Sequence, residues 1–182
     1  LEGDSGIGLI GSLGWGGTIS EVHITGLNIV LSDSYNYPVG GMVASMAAAI
    51  IKNSSVTGSI SCSSTGSCTG LNPYGNNIGG LVGYISGTAN ITDSTADVNI
   101  TFTDEEGLTR IGGFIGSAQT YTNVETDIVI ADCSALGDIS IGADFSDIGG
   151  FIGIMTGDFE ITGSYSSGAI SVSNTGYTSN GN

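Results

Sequence analysis

The sequence predicts an all-β chain wound as a parallel β-helix, or β-solenoid, of about five coils. Three observations predict this fold: a glycine motif recurs five times, apolar residues alternate after it, and Gly, Asn and Asp separate the apolar runs. Apolar residues at every second position follow the period of a strand. Gly, Asn and Asp favour the turns between strands. We therefore expect each repeat to consist of short strands joined by tight turns.

The recurring motif defines the repeats. It reads GLIG at 8–11, GMVA at 41–44, GLVG at 80–83, GFIG at 113–116 and GFIG at 150–153, so it returns every 33 to 39 residues. We predict a single domain, 1–182, with repeats at about 6–38, 39–77, 78–110, 111–147 and 148–182. Glycine is expected where the backbone turns tightly or packs closely. The motif glycines with this predicted structural role are Gly8, Gly11, Gly41, Gly80, Gly83, Gly113, Gly116, Gly150 and Gly153.

A second apolar element follows each motif and fixes the expected register. It is anchored on Ile19, Ile51, Ile91, Ile130 and Ile161. Two residues later comes a turn position, occupied by Glu21, Asn53, Asp93, Asp132 and Gly163. The first repeat then slips by one residue before Ile29 and Leu31.

Stacked coils explain why residue types recur at fixed offsets. Neighbouring coils would pair as parallel strands about 4.8 Å apart, so equivalent side chains form columns. We expect one such column from Leu81, Phe114 and Phe151, and right-handed winding. A β-sandwich is the alternative, since short strands and turns fit it too. It does not explain a motif that returns in register five times.

Cysteines and sequons favour an oxidising, extracellular setting at the cell surface. We predict a disulfide between Cys62 and Cys68, which flank a Ser/Thr/Gly loop. Zinc is the rival interpretation, but neither His23 nor Cys133 stands at ligand spacing. Sequons for N-glycosylation begin at Asn53, Asn90 and Asn99.

The charge balance excludes two classes of partner. Seventeen acidic residues stand against two basic ones, giving a net charge of −15. Binding to nucleic acid or to anionic lipid needs clustered Lys and Arg, so we expect neither partner. The longest apolar stretch, 42–51, is too short to span a bilayer, and we expect no membrane insertion.

Candidate ligand sites are few. Asp104, Glu105 and Glu106 offer weak calcium ligands, although a solvated acidic loop is the favoured interpretation. We expect no other cofactor. Trp15 would either stack on a sugar or cover the end of the solenoid, and we favour the cover. His23 is interpreted as an ordinary surface or packed residue.

Catalysis has one candidate pair, and we expect no enzyme. Asp93 and Asp132 would lie in neighbouring coils, near the carboxylate separation of retaining glycosidases. The same position also accepts Asn and Gly, as a turn does, and we favour the turn. An enzyme acting on acidic sugars would also need more basic residues than Lys52 and Arg110.

The motif carries a family resemblance. The GGLVG, GGFIG and GGFIG segments that end at Gly83, Gly116 and Gly153, each followed by an Ile-x-Asp-Ser-like stretch, resemble GLUG-motif repeats. That family occurs in secreted and cell-surface proteins of bacteria and archaea, including adhesin-like proteins and immunoglobulin-cleaving peptidases whose zinc domain lies elsewhere. The resemblance covers nearly the whole chain, and GMVA at 41–44 departs from it at the last position. It supports the repeat architecture and says little about function.

We expect a non-enzymatic extracellular structural protein of a microbial surface that self-assembles into a filament or sheath layer. Its partners would be further copies of itself, other surface components or glycans. An adhesin stalk that recognises glycans or host proteins is the first alternative, and a β-helix enzyme acting on polysaccharides is the second. The chain opens at Leu1 without a leader, and we interpret it as a mature or trimmed product. Open ends would belong to a slice of a longer array or would meet other copies.

Overall fold

The computed structural model describes residues 6–31, 37–62, 76–102, 109–120, 128–142 and 147–173. These residues form 21 strands and no helix. Every strand pair is parallel and joins one coil to the next, so the predicted parallel β-solenoid is confirmed. The β-sandwich alternative is wrong, because it requires antiparallel sheets.

The chain passes through five coils. Coil 1 (6–31) holds β1 (Ile10–Leu13), β2 (Thr18–Ser20) and β3 (His23–Leu31). Coil 2 (37–62) holds β4 (Val39–Gly40), β5 (Val43–Met46), β6 (Ala49–Lys52) and β7 (Ser55–Cys62). Coil 3 (76–102) holds β8 (Asn76–Gly79), β9 (Val82–Ser86), β10 (Ala89–Thr92) and β11 (Thr95–Phe102).

The last two coils repeat this order. Coil 4 (109–142) holds β12 (Thr109–Gly112), β13 (Ile115–Gln119), β14 (Ile128–Ala131), β15 (Ser134–Ala135) and β16 (Ile139–Ile141). Coil 5 (147–173) holds β17 (Asp147–Gly149), β18 (Ile152–Thr156), β19 (Phe159–Thr162), β20 (Tyr165–Ser166) and β21 (Ile170–Val172).

Equivalent strands of successive coils build four sheets. Sheet A contains β4, β8, β12 and β17, and sheet B contains β1, β5, β9, β13 and β18. Sheet C contains β2, β6, β10, β14 and β19, and sheet D contains the remaining strands from β3 to β21. In β3 the register shifts between Ile24 and Leu27, where Gly26 has φ +68°. This irregularity accommodates the one-residue slip seen in the first repeat.

Apolar columns fill the interior. In β11, Ala96, Val98, Ile100 and Phe102 are buried while Asp97 and Asn99 between them are exposed. This alternation is the period of a half-buried strand.

The expected column of Leu81, Phe114 and Phe151 is present. The backbone N–H of Leu81 donates to Phe114 O at 2.9 Å, and that of Phe114 donates to Phe151 O at 2.9 Å. The two phenyl rings stack with centroids 4.8 Å apart and an interplanar angle of 5°. Like side chains therefore lie above one another from coil to coil, as the repeat predicted.

The first motif glycine of each of coils 1 to 4 lies against the backbone of the next coil. A Cβ added to Gly80 would collide with Gly113 O, and one added to Gly113 would collide with Gly150 O. A methyl group has no room between these strands. This close approach explains why glycine recurs at the first position of the motif.

We expect Gly113→Ala to lower the free energy of unfolding by about 1–3 kcal/mol, because the new methyl group meets a rigid carbonyl oxygen. Chemical denaturation of both proteins measures the change. Gly14→Ala is the matched control, since a Cβ there meets nothing within 4 Å. Equal stability of the two variants would contradict the role assigned to the motif.

Candidate functional site

The turn after sheet C forms a column of left-handed residues. Its members have φ between +47° and +59°: Glu21, Asn53, Asp93, Asp132 and Gly163. Residues with L side chains rarely adopt this conformation, and Asn, Asp and Gly tolerate it best. The favoured interpretation of Asp93 and Asp132 as turn residues is therefore confirmed. Both side chains are exposed, and the strand register places them in neighbouring coils.

A ladder of hydroxyl groups runs beside that turn. The Ser54 hydroxyl donates to Lys52 O at 2.8 Å and accepts the Val22 N–H at 3.2 Å. The Ser94 hydroxyl likewise donates to Thr92 O and accepts the Ser54 N–H at 3.2 Å. Each hydroxyl thus donates a hydrogen bond within its own turn and accepts one from the preceding coil. Sequence spacing alone did not reveal this pattern of hydrogen bonds.

Cys133 occupies the same position in coil 4. Its thiol is free and donates to Ala131 O at 3.2 Å, while its backbone N–H donates to the Ser164 hydroxyl at 3.1 Å. Burial raises the pKa of the Cys133 thiol to about 11. The hydrogen bond from the Ser94 N–H opposes this shift, and the nearby Asp93 and Asp132 charges add to it. Cys133 is thus a structural substitute for serine, and its raised pKa keeps the thiol protonated at neutral pH.

The other predicted site residues are spread over the surface. Asn53, Asn90 and Asn99 are all exposed, and the Asn99 Oδ1 accepts the Asp138 N–H at 2.9 Å. Their glycosylation stays a prediction. Cys62 is disulfide-bonded, while Cys68 lies outside the described residues, so their pairing also stays a prediction.

No cation site emerges in the described part of the chain. Within it, no group of three or more His, Cys, Asp or Glu residues is arranged to hold a metal ion. The calcium candidates Asp104, Glu105 and Glu106 lie outside the described residues. Asp147 lies 3.7 Å from Arg110 Nε, an ion pair between sheet A strands of coils 4 and 5.

Two candidates near the first coil are exposed. Trp15 is 91% exposed, so the favoured interpretation of Trp15 as a cover for the solenoid end is wrong. The sequence offered no way to see that the Gly-rich turn around it carries the indole away from the core. His23 is exposed, and its Nδ1 lies 2.9 Å from the Ser55 hydroxyl, as expected for a surface residue.

Among the described residues, core-column side chains at both ends of the solenoid are exposed or only partly buried. In coil 5, Ile161, Ile170 and Val172 are 39%, 48% and 54% exposed. Their equivalents in coil 4, Ile130, Ile139 and Ile141, are at most 1% exposed. In coil 1, the core residues Ile10, Leu13 and Ile29 are only partly buried. The outer faces of coils 1 and 5 thus carry exposed or partly buried core-column side chains within the described residues, and they are the candidate functional site.

Comparison with known proteins supports the repeat architecture. The family model of the GLUG motif matches residues 74–101, a stretch that includes all four strands of coil 3 except the last residue of β11. This coil therefore carries a GLUG motif, which confirms the resemblance for this repeat, while the resemblance of the other repeats stays a prediction. Neither the curated proteins nor the solved structures include a significant match to the chain. The molecule is a β-solenoid repeat protein, and the described residues contain no helix that could cross a membrane.

The turn column yields one prediction. Asp93→Asn should leave stability unchanged within about 0.5 kcal/mol, because Asn53 adopts the same left-handed conformation one coil below. Asp93→Ala should cost about 1 kcal/mol, since alanine disfavours that conformation. Thermal denaturation of the two variants measures both effects. A larger loss for Asn than for Ala would contradict the turn role.

The raised pKa of the Cys133 thiol predicts that stability depends on pH in the alkaline range. Its pKa rises from 9.0 to about 11 on folding, so the native state keeps a proton that the unfolded state has lost between these values. Stability should therefore fall as pH rises from about 9 to about 11 and be unaffected by this group below pH 9. Denaturant titrations across this range test the slope. Cys133→Ser should remove this contribution and still fold, because serine occupies the equivalent position in coils 2, 3 and 5. An unchanged slope in this variant would assign the effect to other groups.

Proposed function

We propose that the chain is a non-enzymatic structural module of a microbial cell surface, which assembles end to end into a filament or sheath layer. The observation that carries the proposal is the exposure of core-column residues in coil 5. Covering them with another coil would remove apolar surface from water, and each Å² so removed contributes about 25 cal/mol. End-to-end contact would bury these residues as fully as coil 5 buries their equivalents in coil 4.

The backbone supports the same proposal. Within the described residues, no strand pairs with the outer edge of β18, β19, β20 or β21, nor with the outer edge of β1, β2 or β3. Unpaired strand edges present free N–H and C=O groups and recruit other strands. Repeat proteins that stay soluble as single molecules normally carry polar end repeats. Among the described residues, the outer face of coil 5 carries exposed apolar side chains instead.

Charge opposes assembly and makes it dependent on salt. The net charge of −15 repels one copy from another, and only Lys52 and Arg110 offset it. The screening length falls from about 10 Å at 0.1 M salt to about 3 Å at 1 M. Assembly is therefore favoured by the ionic strength of saline surroundings.

The extracellular setting has separate support. Cys62 is disulfide-bonded, and disulfides persist in oxidising compartments outside the cytosol. The three sequon asparagines face solvent, where a glycan can be accommodated. The GLUG motif of coil 3 is compatible with this location, as the family resemblance implies.

A binding module is the second candidate function. The exposed indole of Trp15 favours it, because aromatic faces stack on sugar rings and anchor protein interfaces. The partner would be a glycan or a host protein. Nucleic acid, membrane insertion and cofactors have no place in either proposal. A polysaccharide-acting enzyme is the least supported reading, since Asp93 and Asp132 are accounted for by the turn.

Replacing one exposed core-column residue should separate assembly from folding. Ile170→Lys places a charge on the exposed face of coil 5. The variant should therefore form no filaments or other assemblies, while its circular dichroism spectrum should match that of the wild-type monomer. Ser171→Lys is the matched control, because Ser171 is the next residue and faces outward. Analytical ultracentrifugation and electron microscopy at 0.1 M and 1 M salt measure the outcome. Wild-type protein that stays monomeric at high concentration in both salts would refute self-assembly.

A further inference from the structure

We infer that the fold protects this chain from proteases that cleave after lysine or arginine. The sequence offers such enzymes two bonds, Lys52–Asn53 and Arg110–Ile111. The structure places both in interior coils, at strand positions that pair with a neighbouring coil on each side. The inference concerns the single folded chain and does not depend on end-to-end assembly. Such protection suits a protein whose surroundings contain proteases of this class.

Proteases of this class need a free and extended backbone around the bond that they cleave. The substrate segment lies along the enzyme as an added strand, and its N–H and C=O groups pair with the enzyme. Backbone groups that already pair on both sides are not available for this contact. Proteolytic cleavage of folded proteins therefore concentrates at exposed loop tips. An exposed lysine side chain is not sufficient when its backbone is held in a sheet.

The backbone of the Lys52–Asn53 bond is fully engaged. The Lys52 side chain is exposed, but β6 pairs with β2 on one side and with β10 on the other. The Lys52 carbonyl accepts the Glu21 N–H at 3.2 Å and the Ser54 hydroxyl at 2.8 Å. The Asn53 N–H donates to Thr92 O at 3.2 Å, and its φ of +47° bends the chain at the bond itself. This bond is therefore neither free nor extended.

The Arg110–Ile111 bond is protected by its side chains as well. It lies within β12, which pairs with β8 and with β17. Arg110 Nε lies 3.7 Å from an Asp147 carboxylate oxygen, and Ile111 is 0% exposed. A protease would have to separate the guanidinium from this carboxylate and remove the isoleucine from the core. Both steps require that coil 4 first leaves its neighbours.

Coils 2 and 4 carry the two bonds, and each has a described coil on both sides. The protection therefore does not depend on what lies beyond coil 1 or coil 5. Cleavage has to proceed from an opened state of the chain. When opening and closing are fast relative to cleavage, the rate of proteolysis follows the population of that state.

Two added lysines separate strand pairing from side-chain exposure. Asn90→Lys places an exposed lysine in β10, which pairs on both sides. Gly14→Lys places one in the turn between β1 and β2, where a Cβ meets nothing within 4 Å. At 0.1 M salt and low protein concentration, so that assembly adds no protection, trypsin should leave the wild type and Asn90→Lys intact. It should cut Gly14→Lys after residue 14 at least about a hundredfold faster, as mass spectrometry of the fragments measures.

Three controls complete the experiment. Wild-type protein that is reduced and denatured should be cut into 1–52, 53–110 and 111–182, which shows that both bonds are cleavable once the chain is open. Gly113→Ala weakens coil 4 and should raise native cleavage at Arg110 at least about fivefold. Ser140→Lys, exposed in β16 between β11 and β21, repeats the Asn90→Lys measurement in sheet D. Circular dichroism checks that each variant is folded.

The outcomes that overturn the inference are distinct. Native wild-type protein that is cut as fast as denatured protein would show that the fold gives no protection. Equal rates for Asn90→Lys and Gly14→Lys, whether both are cut or both stay intact, would show that strand pairing is not its cause. Neither result bears on end-to-end assembly, which the salt dependence of wild-type particle size tests separately.

Discussion

The structure depends on parallel backbone pairing between neighbouring coils at a spacing that only glycine permits at the motif. The first glycine of GLVG and GFIG lets the carbonyl of the next coil approach where a methyl group would stand. That approach lets the strands of the four sheets pair in register, apart from the shift in β3, and brings the apolar columns together. The Phe114 and Phe151 rings, 4.8 Å apart, show the same spacing expressed in side chains.

A second set of contacts stabilises the turns between sheets C and D. The left-handed residue after sheet C bends the chain, and the hydroxyl of Ser54 or Ser94 then accepts a hydrogen bond from a backbone N–H of the preceding coil. Cys133 shows how far the position can vary, because a thiol makes the same donor contact at greater length. Hydrogen bonds at the turns therefore join neighbouring coils near the surface, while strand pairing and apolar columns join them in the interior.

The architecture was predictable from the sequence because a solenoid repeats its physical constraints at fixed intervals. The column of Leu81, Phe114 and Phe151 and the turn column through Asp93 and Asp132 both follow from spacing alone. The exposure of Trp15 did not, since one indole in a Gly-rich turn has no equivalent in other repeats to indicate its direction. Open ends were expected from the sequence, but the degree to which Ile170 is exposed was not, because Ile170 and Ile139 look alike in sequence and differ only in what lies above them. Local pattern predicts a residue's column, but its burial depends on how many coils stack on either side.

The partial burial of coils 1 and 5 affects the order in which the coils unfold. Each coil contacts only its immediate neighbours, so cohesion is a sum of nearest-neighbour terms along a line. Coils 1 and 5 each have one neighbour among the described residues, and coils 2 to 4 have two. We therefore expect thermal unfolding to begin at coils 1 and 5 and to reach coil 3 last.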